Sequence, residues 1–182
     1  MKHNLKQTTT PLLFFLLYVL LLSCNQQKHK KKDQPNSYAA SANSGEEKPG
    51  DGKVIRIKDG DTFVLLINGK EQVLRLAHID CPEKKQAFAG NAKQFASDLC
   101  LAKYVTLIHN NKYDRDKRLI AEVLLPDGRN VNKEMVRNGF AWHFKKYSNS
   151  NEYAQLEMEA KANKRGLWID PDPIAPWSWR KQ

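Results

Sequence analysis

Asp61, Arg75, Asp80, Glu83 and Arg118 are the residues of this chain whose types and spacing point to chemistry on a charged substrate. Asp61 follows Asp59-Gly60, a turn signal, and opens the apolar run Thr62 to Ile67. Arg75 sits near the end of the next run, and Asp80-Cys81-Pro82-Glu83 follows directly, with Pro82 ending any strand pairing there. If the two runs are antiparallel strands, Asp80 returns to the end of the ribbon where Asp61 lies. Two carboxylates meeting in one place repel unless a cation sits between them. Carboxylate oxygens suit a hard cation, and so few protein ligands leave room for water and a phosphate oxygen. A site this sparse has modest affinity, appropriate to extracellular Ca²⁺. Singly, each residue has a plainer reading: Asp61 as a turn residue, Arg75 as a surface strand charge, Glu83 as a helix-start acid.

The elements around these residues set their places. Val54 to Ile57, Thr62 to Ile67 and Lys70 to Ala77 read as a three-stranded meander, its second turn being Asn68-Gly69. Phe88, Ala92, Phe95, Ala96 and Leu99 recur at helical spacing, predicting an amphipathic helix over about 88–102. Tyr104 to His109 is a fourth strand and Arg118 to Leu125 a fifth, with the charged loop Asn110 to Lys117 between them. Val131, Met135 and Val136 place a short helix before Gly139. A third helix spans about Asn149 to Arg165, with Tyr153, Leu156 and Ala160 inward and Gly166 as its C-terminal cap. The expected fold is α+β: a five-stranded OB-fold barrel with three α-helices over 53–170, then an irregular tail over 171–182. Such barrels bind oligonucleotides on one face, which alone supports only a binding module.

Residues 53–168 resemble the thermonuclease family, the staphylococcal-nuclease-like Ca²⁺-dependent nucleases. The resemblance rests on VIRIKDGDTFVL, LRLAHIDCPE, DRDKRLIAEV and VNKEMVRNGFAW, in family order and at family spacing. It implies that Asp61 and Asp80 bind calcium, that Thr62 offers the metal its backbone carbonyl, and that Arg75, Glu83 and Arg118 are catalytic. It also places Tyr147, in FKKYS, against a nucleotide. The implied reaction is cleavage of DNA and RNA with low sequence specificity, leaving 3′-phosphates. The chemistry suits those roles: guanidinium groups donate in pairs to phosphate oxygens, and a carboxylate can hold or deprotonate the attacking water. Two positions depart from the family. Asp116-Lys117 replaces the common Tyr-Gly before Arg118, which leaves Arg115 as a rival for its role, and Cys81 fills a variable position. The altered turn also motivates an alternative: a non-catalytic module that tethers nucleic acid.

The chain of 182 residues carries a formal net charge of +10, of which +7 falls on residues 53–182. That excess favours a polyanionic partner. Three cysteines are too few for a disulfide scaffold, and no CxxC spacing suggests zinc. A Cys81–Cys100 bridge is disfavoured by the intervening helix, since ten helical residues span about 15 Å and a bridge needs Cα atoms within about 7 Å. His78, His109 and His143 read as structural or surface residues, and Trp142 and Phe144 as packing ones. Trp177 and Trp179 fit either a bilayer interface or packing onto the barrel.

The N-terminus reads as an export segment. Met1 to Thr10 is short and basic, and PLLFFLLYVLLL is shorter than a membrane-spanning helix requires. The run closes on Leu21-Leu22-Ser23-Cys24, which resembles the bacterial lipobox and implies lipidation of Cys24. Residues 1–24 are thus expected to be a lipoprotein signal peptide and 25–52 a polar, disordered tether. The expectation is an exported, lipid-anchored monomer, and Asn25 after the cysteine favours the outer membrane or cell surface.

Overall fold

A computed structural model describes residues 50–182. The expected signal peptide, Cys24 and nearly all of the expected tether lie outside the described residues.

Strands β1 (Gly52–Asp59), β2 (Thr62–Ile67) and β3 (Lys70–Leu76) form the meander. Asn68 and Gly69 both take positive φ, 48° and 75°, as a two-residue hairpin turn with the strands' own twist requires. That turn fixes the register from Ile67 opposite Lys70 to Thr62 opposite Arg75. β4 (Ile79–Asp80), α1 (Ala89–Cys100), β5 (Tyr104–Ile108) and β6 (Leu119–Leu124) follow. β6 runs parallel to β3 and antiparallel to β5, and β5 meets β1 to close the barrel in the order β1-β2-β3-β6-β5. The closing pairings are short, two residue pairs between β1 and β5 and three between β3 and β6. The interior holds Val54, Phe63, Leu65, Leu74, Leu76, Val105 and Val123.

The helices are α2 (Val131–Arg137), α3 (Asn151–Ala162) and α4 (Pro176–Trp179), with β7 (Trp142–His143) pairing with β4 and a 3-10 turn at Gly166–Ile169. α1 closes on the barrel through Ala92, Ala96 and Leu99, and α3 buries Tyr153, Leu156 and Ala160, as the periodicity requires. Asn132 on α2 is fully buried. Its oxygen accepts from the Val123 amide at 3.1 Å, and its amide donates to the carbonyls of Ala77 and Ala121 at 3.0 and 3.2 Å. One side chain thereby ties α2 to β6 and to the turn leaving β3.

Five elements differ from expectation. The two-residue strands β4 and β7 are too short to show a period. Phe88 precedes α1 at φ 63° and packs with a second apolar cluster around Trp142, Ala160, Leu167 and Trp168. α3 is capped by Lys164, not Gly166: Lys164 has φ 50°, its amide donates to Lys161 O, and the Arg165 amide donates to Ala160 O. Gly166 serves a close approach, since a Cβ there would lie 2.3 Å from the Gly139 carbonyl oxygen. The tail, expected to be irregular, contains the helical turn α4, so among the described residues the α-helices number four. Ala175 and Trp177 pack it against the second cluster.

Candidate active site

The hairpin register carries Arg75 to the end of β3, opposite Thr62 and one residue from Asp61. Its guanidinium bends over the end of the barrel. One nitrogen donates to the carbonyls of Leu76 and Ile79, at 2.8 and 2.9 Å. The other meets Asp80 Oδ1 at 2.7 Å and Asp61 Oδ2 at 3.2 Å. Asp61 also accepts from the Cys81 amide at 2.8 Å, which joins the β1–β2 turn to the segment after β4. Asp80 is held by the pairing of β4 with β7 and is buried, as is Asp61. The side chains that the antiparallel ribbon was expected to gather therefore share one place.

Arg118 arrives from β6. Parallel pairing sets Leu119 beside Leu74, so the residue before it lands at the same barrel end. Arg118 donates to Thr62 Oγ1 at 3.2 Å, and the Thr62 hydroxyl donates to Asp61 Oδ1 at 3.3 Å. The turn that lost its glycine survives because Lys117 itself adopts φ 59°. Asp114 supports it: one oxygen accepts from the amides of Asp116 and Arg118, and the other from Arg118 Nε at 2.7 Å. Arg115 is exposed at the cleft mouth while Arg118 reaches inward, so the geometry favours Arg118.

Glu83 stands on the rim. Its amide donates to Gln86 Oε1 at 3.0 Å, and its carboxylate pairs with Arg180 from the tail. Arg180 also reaches Asp80 Oδ2 at 2.6 Å. Sequence reasoning missed Arg180; the available signal was the pair of tryptophans that precede it in PWSWR, marking a tail with a reason to dock. Tyr147 is 70% exposed at the other side of the cleft, edge-on to Phe144 at 5.0 Å. Its loop is pinned by Ser148, whose Oγ lies 2.9 Å from both His78 Nδ1 and His143 Nε2. Lys84, Lys145, Lys146 and Lys181 line the same cleft.

Burial is the largest influence on the Asp80 and Asp59 carboxyls. It raises the Asp80 carboxyl, against the opposing pull of Arg180 and Arg75. Asp59 is pushed up to about 6, first by burial and then by the charge of Asp61. Burial works against the Arg75 charge, but Asp61 and Asp80 outweigh it and hold the guanidinium more firmly protonated. Among the described residues no group of three or more His, Cys, Asp or Glu side chains could hold a metal ion. The donor set of two buried carboxylates is nonetheless all hard oxygen, and Asp59 crowds it with a third acid. That chemistry fits a hard divalent cation bound largely through water.

The family model described as staphylococcal nuclease homologue matches residues 73–170. An uncharacterized endonuclease of Escherichia coli O157:H7 is 41% identical over 129 residues, covering 71% of this chain and 84% of that protein. An uncharacterized endonuclease of Haemophilus influenzae is 44% identical over 131 residues, 71% and 72% of the two chains. The chain belongs to the staphylococcal nuclease family. A micrococcal nuclease of Shigella flexneri is 36% identical over 139 residues, 71% of this chain and 80% of that one. As a staphylococcal nuclease homologue the chain is a hydrolytic nuclease with the family's barrel. Arg75, Asp80, Glu83, Arg118 and Tyr147 fall inside the matched span; Asp61 and Thr62 precede it, and Arg180 follows it.

Proposed function

We propose that this nuclease is a calcium-dependent endonuclease that hydrolyses DNA and RNA with low sequence specificity and leaves 3′-phosphates. One observation carries the reading: Arg75 bridges Asp61 and Asp80 at 3.2 and 2.7 Å, beside the Thr62–Arg118 contact and with Glu83 at the rim. Asp61, Asp80 and the Thr62 carbonyl would hold the cation, which supplies positive charge to a phosphate oxygen and orients the attacking water.

The chain's own groups do the rest. Glu83 takes a proton from the water as its oxygen bonds to phosphorus, and the P–O5′ bond breaks. The departing 5′ oxygen takes a proton from solvent water, and Glu83 later returns its own proton to solvent. Arg75, braced by two carbonyls, and Arg118, braced by Asp114, stabilise the charge that builds on the phosphorane oxygens. Because both guanidinium groups are already oriented, little reorganisation accompanies the reaction. Tyr147, exposed at the cleft wall, stacks on or bonds to a nucleotide. The altered turn leaves Arg118 in contact with Thr62, which supports the catalytic reading over a non-catalytic tether. Lipidation of Cys24, export, and anchoring at the outer membrane or cell surface complete the reading, supported by the apolar run and lipobox in residues 11–24.

The test is digestion of a labelled single-stranded oligonucleotide with Ca²⁺ and with EGTA, with analysis of product ends. Cleavage to 3′-phosphates that EGTA abolishes is expected. Arg75→Ala and Glu83→Gln should each lower the rate by about 10²-fold or more with the circular dichroism spectrum unchanged. Full activity in chelator refutes the metal assignment.

A further inference from the structure

The carboxylate assigned to the attacking water is held, among the described residues, by a side chain from the far end of the chain. Glu83's carboxylate has one ion-pair partner there, Arg180, 97 residues away. Gln86 joins the same two segments: its oxygen accepts from the Glu83 amide, and its amide donates to the Ile174 carbonyl. The tail is seated on apolar ground as well. Trp177 stacks on Phe144 at 5.4 Å with the rings 7° from parallel, and meets Trp142 edge-on at 6.5 Å. Arg180 is thus delivered by a docked element.

The pair is too exposed to serve stability: Arg180 is 43% and Glu83 37% exposed, and such pairs contribute little to folding. Its placement matters more. The guanidinium bonds Asp80 on one side and Glu83 on the other, which sets the spacing and direction of the two acids. Asp80 has a second guanidinium, Arg75, to orient it. Among the described residues Glu83 has only Arg180.

We infer that Arg180 is a positioning residue of the active site, carried by the C-terminal tail and acting through Glu83 on the water it activates. This rests on the nuclease reading above and adds to it a part of the site that lies beyond the family-matched span.

The test compares wild type, Arg180→Gln and Arg180→Lys as full-length proteins by two independent measurements. Hydrogen exchange in EGTA reads the contact without catalysis. Arg180→Gln should raise exchange in the peptides covering 82–88 and 172–182 and leave the barrel strands unchanged. Steady-state cleavage with Ca²⁺ reads its use. Arg180→Gln should lower kcat about 10–100-fold with KM within about twofold, and Arg180→Lys should recover part of that loss. Unchanged exchange in both peptides overturns the inference, as does an unchanged kcat. A raised KM with kcat intact overturns it too, by making Arg180 a substrate-binding residue. If wild type cleaves nothing, the nuclease reading and the positioning role fall together, and the exchange result still shows whether the contact forms.

Discussion

Asp61 and Asp80 sit where two turns bring them, and neither is exposed enough for water to neutralise it cheaply. Asp59 records the strain, with a carboxyl that keeps its proton up to about 6 because burial and the neighbouring Asp61 charge both oppose ionisation. An acid whose folded pKa is raised contributes stability fully below its unfolded value, and loses it as pH rises through the folded one. In EGTA the Asp59 contribution to the wild-type melting temperature should therefore fall between about pH 4 and pH 7. Asp59→Asn keeps the acceptor for the Asp61 amide and should flatten that fall by a few degrees. Equal pH slopes in the two proteins would show that Asp59 does not carry the effect. At this scale the identities of Asp61, Asp80 and Arg75 were readable, because neighbours along one ribbon are set by turn chemistry, whereas Arg118 was readable only through the resemblance of DRDKRLIAEV. The Thr62 hydroxyl link was not, since it depends on a rotamer and on β6 lying beside β3.

Elements position these residues through register. Asn68-Gly69 is a local signal with one structural answer, and it fixes Arg75 opposite Thr62. The parallel pairing of β6 with β3 has no such local signature, and it is what delivers Arg118. The loop before β6 shows how a lost glycine is absorbed. Lys117 takes the left-handed conformation at a cost of about 1–2 kcal/mol, and Asp114 collects two amides and the Arg118 side chain in compensation. Burial alone would raise the Asp114 carboxyl, but the Arg118 amide and guanidinium outweigh it and hold it below the ordinary aspartate value. Lys117→Gly should then stabilise the fold by about 0.5–1 kcal/mol, the relieved strain less the added chain entropy. A thermal melt should show a rise of a few degrees with cleavage retained. A lower melting temperature would mean that the Lys117 side chain has contacts worth more than its strain. The helices were legible from their 3.6-residue period, whereas β4, β7 and α4 were not, because two to four residues cannot display one.

Over the whole molecule, the basic excess of +7 on residues 53–182 gains direction from the fold: Lys84, Lys145, Lys146 and Lys181 border the cleft that contains the acids. A phosphate chain is attracted to that rim and met by Arg75 and Arg118 inside it. Binding of a single-stranded oligonucleotide in EGTA should weaken linearly with log salt, at about 0.7 per phosphate neutralised. Replacing Lys145 and Lys146 with Gln should reduce the slope by about one to two without altering the melting temperature. An unchanged slope would place the strand elsewhere on the surface. Among the described residues no helix is long and apolar enough to cross a membrane.

Short-range chemistry was written into the amino-acid order. The turns, the strand alternation and the helical period follow from backbone sterics and from which side of an element is apolar, and they suffice to predict the barrel, the acid pair and Arg75 beside it. The parallel pairing of β3 with β6, and the landing of Arg180 on Glu83 and Asp80 across 97 and 100 residues, were decided only by the folded chain. Such contacts depend on the summed packing of Trp142, Phe144 and Trp177 against one another, and no window of neighbouring residues contains that sum.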